Sequence, residues 1–241
     1  MKKTKLALFD IDGTIFRSSL LIELINGLIE NAVFPKAAWP EMERAHLSWL
    51  DRTGRYDDYL MKVIKVHLKY IKGCNWHEVS GVVEKVIRNH KDHVYRYTRD
   101  LIKKFKRGGY ILVAISGSPE YMVARFARHM GFHHHFGQKL DIKDGLFTGK
   151  IVTLDFLNKK KILKGFVKRE KLNVDWKNSV AVGDTDNDIP MLKMVGYPIA
   201  FNPNRTFAGY SMKHGWDVVV ERKDTIYKIK KSAILPYEGM A

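Results

Sequence analysis

Leu6-Ala7-Leu8-Phe9-Asp10-Ile11-Asp12-Gly13-Thr14 is the stretch from which the fold of this 241-residue chain is read. Its first four residues are apolar without alternation. That pattern marks a strand buried on both faces, as in a parallel sheet covered by helices. The run ends in two aspartates. In extended backbone Asp10 and Asp12 share a face and Ile11 points away from them. Gly13 then permits a tight turn.

Working outward, the pattern after Thr14 changes to helical spacing. Leu20, Leu21, Leu24, Ile25, Leu28 and Ile29 form one apolar stripe, and further helices are expected over residues 41–50, 56–71 and 76–90. Tyr59, Leu60, Val63, Ile64 and Leu68 mark the inner face of the third of these four. No strand signal interrupts them, so residues 17–93 read as a helical cap domain inserted into a core of residues 1–16 and 94–241. Beyond it, strands and helices alternate. A helix ends at Gly108-Gly109, a strand covers 110–115, and Ser116-Gly117-Ser118-Pro119 leads into a helix over 120–130. Lys143-Asp144-Gly145 is a hairpin signal between strands at 139–142 and 146–152. A basic helix over 158–171, a strand over 179–182, a helix over 187–194 and a strand over 197–201 follow. A helix over 205–212, a strand over 217–220 and a helix over 225–231 complete the series, and the residues from Pro236 are expected to fray. The fold class is α/β: a doubly wound, Rossmann-like parallel sheet with an inserted helical cap.

Composition narrows the setting. Hydrophobic residues make up 45% of the chain, enough for a large core. No uncharged apolar run reaches the roughly 18 residues of a membrane span. The basic start is followed by an apolar run cut short at Asp10, so no secretory signal is expected and a cytoplasmic location is. The one cysteine, Cys74, excludes an internal disulfide and a thiolate metal site. The net charge of +16 is uneven, concentrated over residues 99–107, 159–171 and 222–231. Such charge attracts nucleic acid or small anionic esters, and most of it is expected on solvated helix faces.

Three segments each follow a strand: Asp10-Ile11-Asp12, Ser116-Gly117-Ser118, and Gly183-Asp184-Thr185-Asp186-Asn187-Asp188. In an open parallel sheet the carboxyl ends of strands meet at the ligand crevice. Paired carboxylates need a cation to stay ionised together, and an all-oxygen site suits Mg²⁺. A carboxylate nucleophile divides a phosphoryl displacement into two steps through an acyl-phosphate. A companion carboxyl protonates the leaving alkoxide and then deprotonates water, and Asp12 is placed for it. Asp184 is a third carboxylate, with Asp188 one turn on as its support. Ser116 and the Gly117 amide precede a helix N-terminus, a natural anion cradle. The lysine-rich start of the helix at 158 offers a fixed ammonium.

These residues resemble the four motifs of the haloacid dehalogenase superfamily of phosphatases. Asp-x-Asp-Gly-Thr stands at Asp10 to Thr14, strand-Ser-Gly at Ser116-Gly117, Lys-x-x-x-Leu at Lys159 and Leu163, and Gly-Asp-x-x-x-Asp at Gly183, Asp184 and Asp188. The cap position and its helices resemble the phosphoserine phosphatase branch, subfamily IB. The runs Val180 to Ile189 and Asp144 to Gly149 resemble that branch too. The resemblance implies Asp10 as nucleophile and Mg²⁺ ligand. It implies Asp12 as acid/base with its backbone carbonyl on the metal, and Asp184 as the third ligand with Asp188 behind it. Ser116, Gly117, Lys159 and Asn187 would contact phosphate, with Lys160 and Lys161 keeping the choice of lysine open. Phosphoserine phosphatases carry a glutamate where this chain has Ser19; the nearest acid is Glu23, and Arg52, Arg55 and Lys62 are only neighbours of the arginine those enzymes use in the cap.

The implied function is a Mg²⁺-dependent phosphomonoesterase for a small phosphorylated metabolite, phosphoserine being one candidate. An aspartyl-phosphate phosphotransferase is the alternative, with a basic nucleic-acid-binding protein on the same scaffold as a third reading. Nucleic acid is disfavoured as a partner because every catalytic position is filled. No membrane partner is expected, and no oligomeric state follows. His133-His134-His135 is expected in a loop or helix end, since consecutive histidines cannot all face one ion. Trp39, Trp49, Trp76 and Tyr56 are expected to pack within the cap or its hinge, and Phe16 and Leu20 are candidates for the substrate entrance.

Overall fold

The computed structural model describes residues 3–152 and 158–229. Strand β1 (Leu6–Phe9) is a wholly buried interior strand of a seven-stranded sheet. The other members are β2 (Ile111–Pro119), β3 (His134–Gln138), β6 (Val180–Gly183), β7 (Tyr197–Phe201), β8 (Asp217–Arg222) and β9 (Thr225–Ile229), in the order β3-β2-β1-β6-β7-β8-β9. All neighbours pair in parallel except β8 and β9. The period-two alternation of β1 divides the core. Ala7 and Phe9 face one side, where Ile102 of α5 (Arg96–Arg107) and Phe126 of α6 (Glu120–Met130) pack. Leu6 and Leu8 face the other, against Leu163 and Phe166 of α7 (Lys159–Arg169), Leu192 of α8 (Ile189–Leu192) and Phe207 of α9 (Arg205–Lys213). The sheet is covered on both faces, which is why its strands read as unbroken apolar runs.

Between β1 and α5 lie α1 (Leu20–Glu30), α2 (Ala38–Leu50), α3 (Tyr56–Ile71) and α4 (Trp76–His90). The chain enters and leaves this insertion through paired backbone: the Arg17 N–H donates to the His93 carbonyl at 2.9 Å, and the Tyr95 N–H to the Ile15 carbonyl at 2.9 Å. A hairpin of β4 (Leu140–Lys143) and β5 (Leu146–Ile151) supplies a second attachment. Its turn places Asp144 and Gly145 at φ 51° and 78°, the left-handed pair that a two-residue hairpin loop requires. Gly73 and Trp76 N–H groups donate to Phe147 and Gly145 carbonyls at 2.7 and 2.8 Å. Phe147 is buried against Trp76 and Tyr121. Trp39 and Trp49 pack on the same core as expected.

Three local expectations are corrected. Residues 225–229 form an antiparallel edge strand, not a helix; residues 230–231, and those from Pro236, lie outside the described residues. Arg222 pairs with Thr225 across Lys223-Asp224, with Lys223 at φ 56°, so the turn lacks the Asn-Gly or Gly signal that announces a hairpin. Of the histidine run, His133 lies in the bend before β3, as expected of a loop, but His134 and His135 belong to the strand, and the three rings diverge. His133 Nδ1 accepts from the Leu112 N–H at 2.9 Å, His134 lies on Phe166, and His135 pairs with Glu120 at 3.2 Å. Phe16 and Leu20 are core residues, Phe16 packing edge-on against Phe126, and neither lines an entrance.

His67 of α3 is fully buried and hydrogen-bonded through Nε2 to the Tyr121 hydroxyl of α6 at 3.2 Å. Burial disfavours its charged form and lowers its pKa from 6.5 to about 4. The unfolded chain therefore takes up a proton that the native chain refuses. Stability is unaffected by this group above pH 6.5 and falls as pH drops from 6.5 toward 4. From that shift, wild-type protein should lose about 2 kcal/mol through His67 between pH 7 and pH 5. Urea unfolding at both values should show a smaller loss, by that amount, in His67→Gln.

Candidate active site

The carboxyl ends of β1, β2 and β6 converge as neighbouring strands, and the three acidic and serine segments converge with them. Asp10 is anchored by its own N–H, which donates to the Val182 carbonyl of β6 at 3.0 Å. Its carboxylate is buried and accepts a hydrogen bond from the Lys159 ammonium. The same ammonium donates to Asp188 Oδ1 at 2.5 Å. Asp188 Oδ2 in turn accepts from the N–H groups of Asp184 and Thr185 at 3.1 and 3.2 Å. That ring holds the 184–188 turn and fixes the lysine at once. Of the three consecutive lysines at the start of α7, Lys159 is buried, whereas Lys160 and Lys161 are exposed. Successive helical residues point about 100° apart, so only one lysine of the three can enter the cleft.

Oxygens of Asp10, Asp184 and Asp188 lie within 4.8 Å of one another. Burial is the main influence on Asp10; the Lys159 charge works against it, but repulsion from Asp188 and Asp12 adds to it, and the carboxyl is pushed up to about 7. Burial and then repulsion from Asp10 and Asp188 raise Asp184 well above the carboxylate range. Burial opposes the charge on Lys159, but Asp10 and Asp188 outweigh it and hold the ammonium above the ordinary lysine range. One ammonium thus faces several carboxylates in a desolvated space, and the donors are all oxygen. That set fits a hard divalent cation of the Mg²⁺ type.

Asp12 stands outside this group of three but lines the same cavity. Its Oδ1 accepts from the Leu20 N–H at the start of α1 at 2.6 Å. Its Oδ2 accepts from the Ser116 hydroxyl, and from the Ser118 hydroxyl at 2.9 Å. The Ser116 Oγ also accepts from the Ser118 N–H at 2.9 Å. Ser116 therefore sits behind the cleft as a support for Asp12, while Gly117 and Ser118 line the cleft itself. Asn187 lines it too, exposed at its edge. Of the eight expected site residues, Asp10, Asp12, Gly117, Lys159, Asp184 and Asn187 line a cavity of about 210 Å³, while Ser116 and Asp188 stand behind it, bonded to Asp12 and Lys159.

Several residues contribute in ways that the sequence reading does not assign to them. Ser118 shares the face of Ser116 at two-residue spacing, which is the signal that was available for it. Tyr56 closes the cavity from α3, and burial followed by the nearby Asp12, Asp184 and Asp10 charges holds its phenol protonated above the ordinary range. Thr14 donates its hydroxyl to Asp184 Oδ1 at 3.3 Å. Gly13 does more than turn the chain. At φ 80°, a Cβ there would lie 2.2 Å from Asp184 Oδ2, so the two loops approach only because the side chain is missing.

The sequence model of the haloacid dehalogenase-like hydrolases matches residues 7–193. The phosphoserine phosphatase of Methanocaldococcus jannaschii is 26% identical over 227 residues, 92% of this chain and 95% of that protein. Phosphoserine phosphatase SerB1 of Mycobacterium tuberculosis is 26% identical over 220 residues, 89% of this chain and 70% of that protein. A solved structure of a phospho-aspartyl intermediate analogue of phosphoserine phosphatase is similar in fold. Its TM-score is 0.62 at 24% identity, over 92% of this chain and 96% of that one. Among the described residues, no helix is long and apolar enough to cross a membrane.

Gly13→Ala is expected to cost about 1–2 kcal/mol from the left-handed backbone alone, and more from the displaced Asp184. Gly81→Ala, in α4 with nothing within 4 Å of the added carbon, should be neutral or stabilising. Chemical denaturation of the two variants beside wild type checks both directions.

Proposed function

Because this chain belongs to the haloacid dehalogenase-like hydrolase family, we propose that it is a Mg²⁺-dependent phosphomonoesterase working through an aspartyl-phosphate. The observation that carries the reading is the buried cluster in which Asp10 meets Lys159 and lies within 4.8 Å of Asp184 and Asp188. A solvated turn has no use for such a cluster, because each buried ion costs several kcal/mol of lost hydration. The substrate is a small phosphorylated metabolite, and phosphoserine, named in the relatives, is one candidate. A cytoplasmic setting goes with the single cysteine.

Asp10 supplies the nucleophilic oxygen. A bond forms from its carboxylate to phosphorus, and the bond from phosphorus to the alcohol oxygen breaks in line with it. Asp12, on the same cavity, gives the departing alkoxide its proton. It then takes a proton from water as that water attacks phosphorus, which releases phosphate and restores Asp10. The Ser116 and Ser118 hydroxyls and the Leu20 N–H orient Asp12 for both transfers. Lys159, steadied by Asp188, balances phosphoryl charge, and Gly117, Ser118 and Asn187 bound the phosphate from the β2 and β6 sides. Mg²⁺, held by Asp10, Asp184 and the Asp12 backbone carbonyl, would neutralise the incoming phosphate so that the anionic nucleophile can approach.

Asp10→Asn should fold with an unchanged circular dichroism spectrum and lose turnover of phosphate esters by at least about three orders of magnitude. Chelation should abolish wild-type turnover and added Mg²⁺ should restore it. Persistent full activity in Asp10→Asn would refute the nucleophile assignment; turnover indifferent to chelation would refute the metal.

A further inference from the structure

The cleft has two unlike walls. Its floor is the charged cluster already described. Its roof comes from the insertion: Leu21 of α1, and Tyr56, Leu60, Met61 and Ile64 of α3. Tyr56, Leu60 and Ile64 recur at four-residue spacing, so one stripe of α3 faces the carboxylates. Charged residues described on that helix take another side. Asp58, Lys62 and Lys65 line an outer groove shared with Arg44 and Glu41 of α2, and among the described residues only Met61 borders both spaces. Met61 is 53% exposed, which puts a large thioether at the cleft mouth.

Two further observations remove charge from the roof. Ser19, buried at 2% exposure, contributes a neutral hydroxyl to the cavity and makes no cap to α1. Glu23, the next acid along α1, faces α4 instead, 3.8 Å from His90 Nδ1 in a pocket of its own. Among the described residues lining the cavity, the ionisable carboxylates and the ammonium all belong to the floor, and the roof offers the Ser19 and Tyr56 hydroxyls with aliphatic surface.

Resting on the phosphatase reading, we infer that the alcohol half of the substrate is uncharged and largely apolar, an alkyl or aryl phosphate, with Leu60 and Ile64 as its specificity-determining residues. A phosphoryl group seated on the floor directs its ester oxygen toward the roof. An ammonium or carboxylate carried there would give up its hydration against Leu60 and Ile64 without a partner. An apolar chain gains by leaving water at the same place. The phenol of Tyr56, held protonated, adds one neutral hydrogen-bonding group at the boundary between the walls.

The test is a substrate series with the full chain in Mg²⁺: methyl, butyl, hexyl and phenyl phosphate beside phosphoserine. From methyl to butyl, kcat/KM should rise about fourfold per methylene, with phosphoserine at least about tenfold below butyl phosphate. In Leu60→Ala, which keeps a good helix former in α3, the ratio of hexyl to methyl phosphate should fall on the order of tenfold. Alkylphosphonates of the same lengths, which have no ester bond to cleave, should show the same slope as Kd by calorimetry. Hydrolysis with a flat series, or with phosphoserine ahead of the alkyl esters, overturns the inference and leaves the phosphatase reading standing. A steep slope in phosphonate Kd with no ester hydrolysed does the reverse: it sinks the phosphatase reading and upholds the apolar roof. Flat affinity together with no hydrolysis overturns both.

Discussion

The Lys159 ammonium, shared between Asp10 and Asp188, is the interaction on which the site depends. It joins the start of α7 to the ends of β1 and β6, elements 149 and 29 residues apart in sequence. Burying these ions removes them from water, a cost of several kcal/mol each that their attraction only partly returns. Asp188 meets its share by accepting from two backbone N–H groups of its own turn. Burial and mutual repulsion make Asp10 and Asp184 hard to ionise together, and that unfavourable balance is what a divalent cation would relieve. Stability is given up locally for chemistry, and the all-apolar strands on either side of the cleft hold the arrangement together.

Asp12 performs a different task from its neighbour two residues earlier. Its carboxylate accepts from the first helix of the insertion and from two serines of β2, so β1, β2 and the insertion are tied at one residue. The insertion is attached again through the β4–β5 hairpin, whose Phe147 is buried against Trp76 and Tyr121. Tyr56, meanwhile, belongs both to the cleft and to an aromatic group with Trp49 and Tyr59. Packing within the insertion therefore bears directly on the shape of the roof.

Much of the architecture was legible because buried parallel strands and amphipathic helices carry unlike periodicities. β1, β2, β6 and β7 are short apolar runs, and α1, α3 and α4 show helical stripes that the structure retains. Legibility failed where the local signal was disguised. β9 is a lysine-bearing edge strand reached through a Lys-Asp turn, and β3 is entered through histidines whose roles are set by Leu112, Phe166 and Glu120 from other elements. Phe16 and Leu20 follow the motif so closely that they suggested an entrance, yet the core claims both and Leu21 faces the cleft.

By itself, the sequence determined the order of the elements apart from β3 and β9, the places of Asp10, Asp12 and Asp184 just beyond their strands, and the clustering of acids from which a cation was expected. These follow from periodicity and from charge, which are local properties. Only the tertiary structure decided that Lys159 and not Lys160 or Lys161 enters the cleft, that Ser116 braces Asp12 while Ser118 lines the cavity, and that Gly13 must lack a side chain to admit Asp184. It alone gave the roof its apolar stripe. Each of those outcomes depends on the direction of a side chain relative to an element distant in sequence, and such directions exist only once the layers have packed.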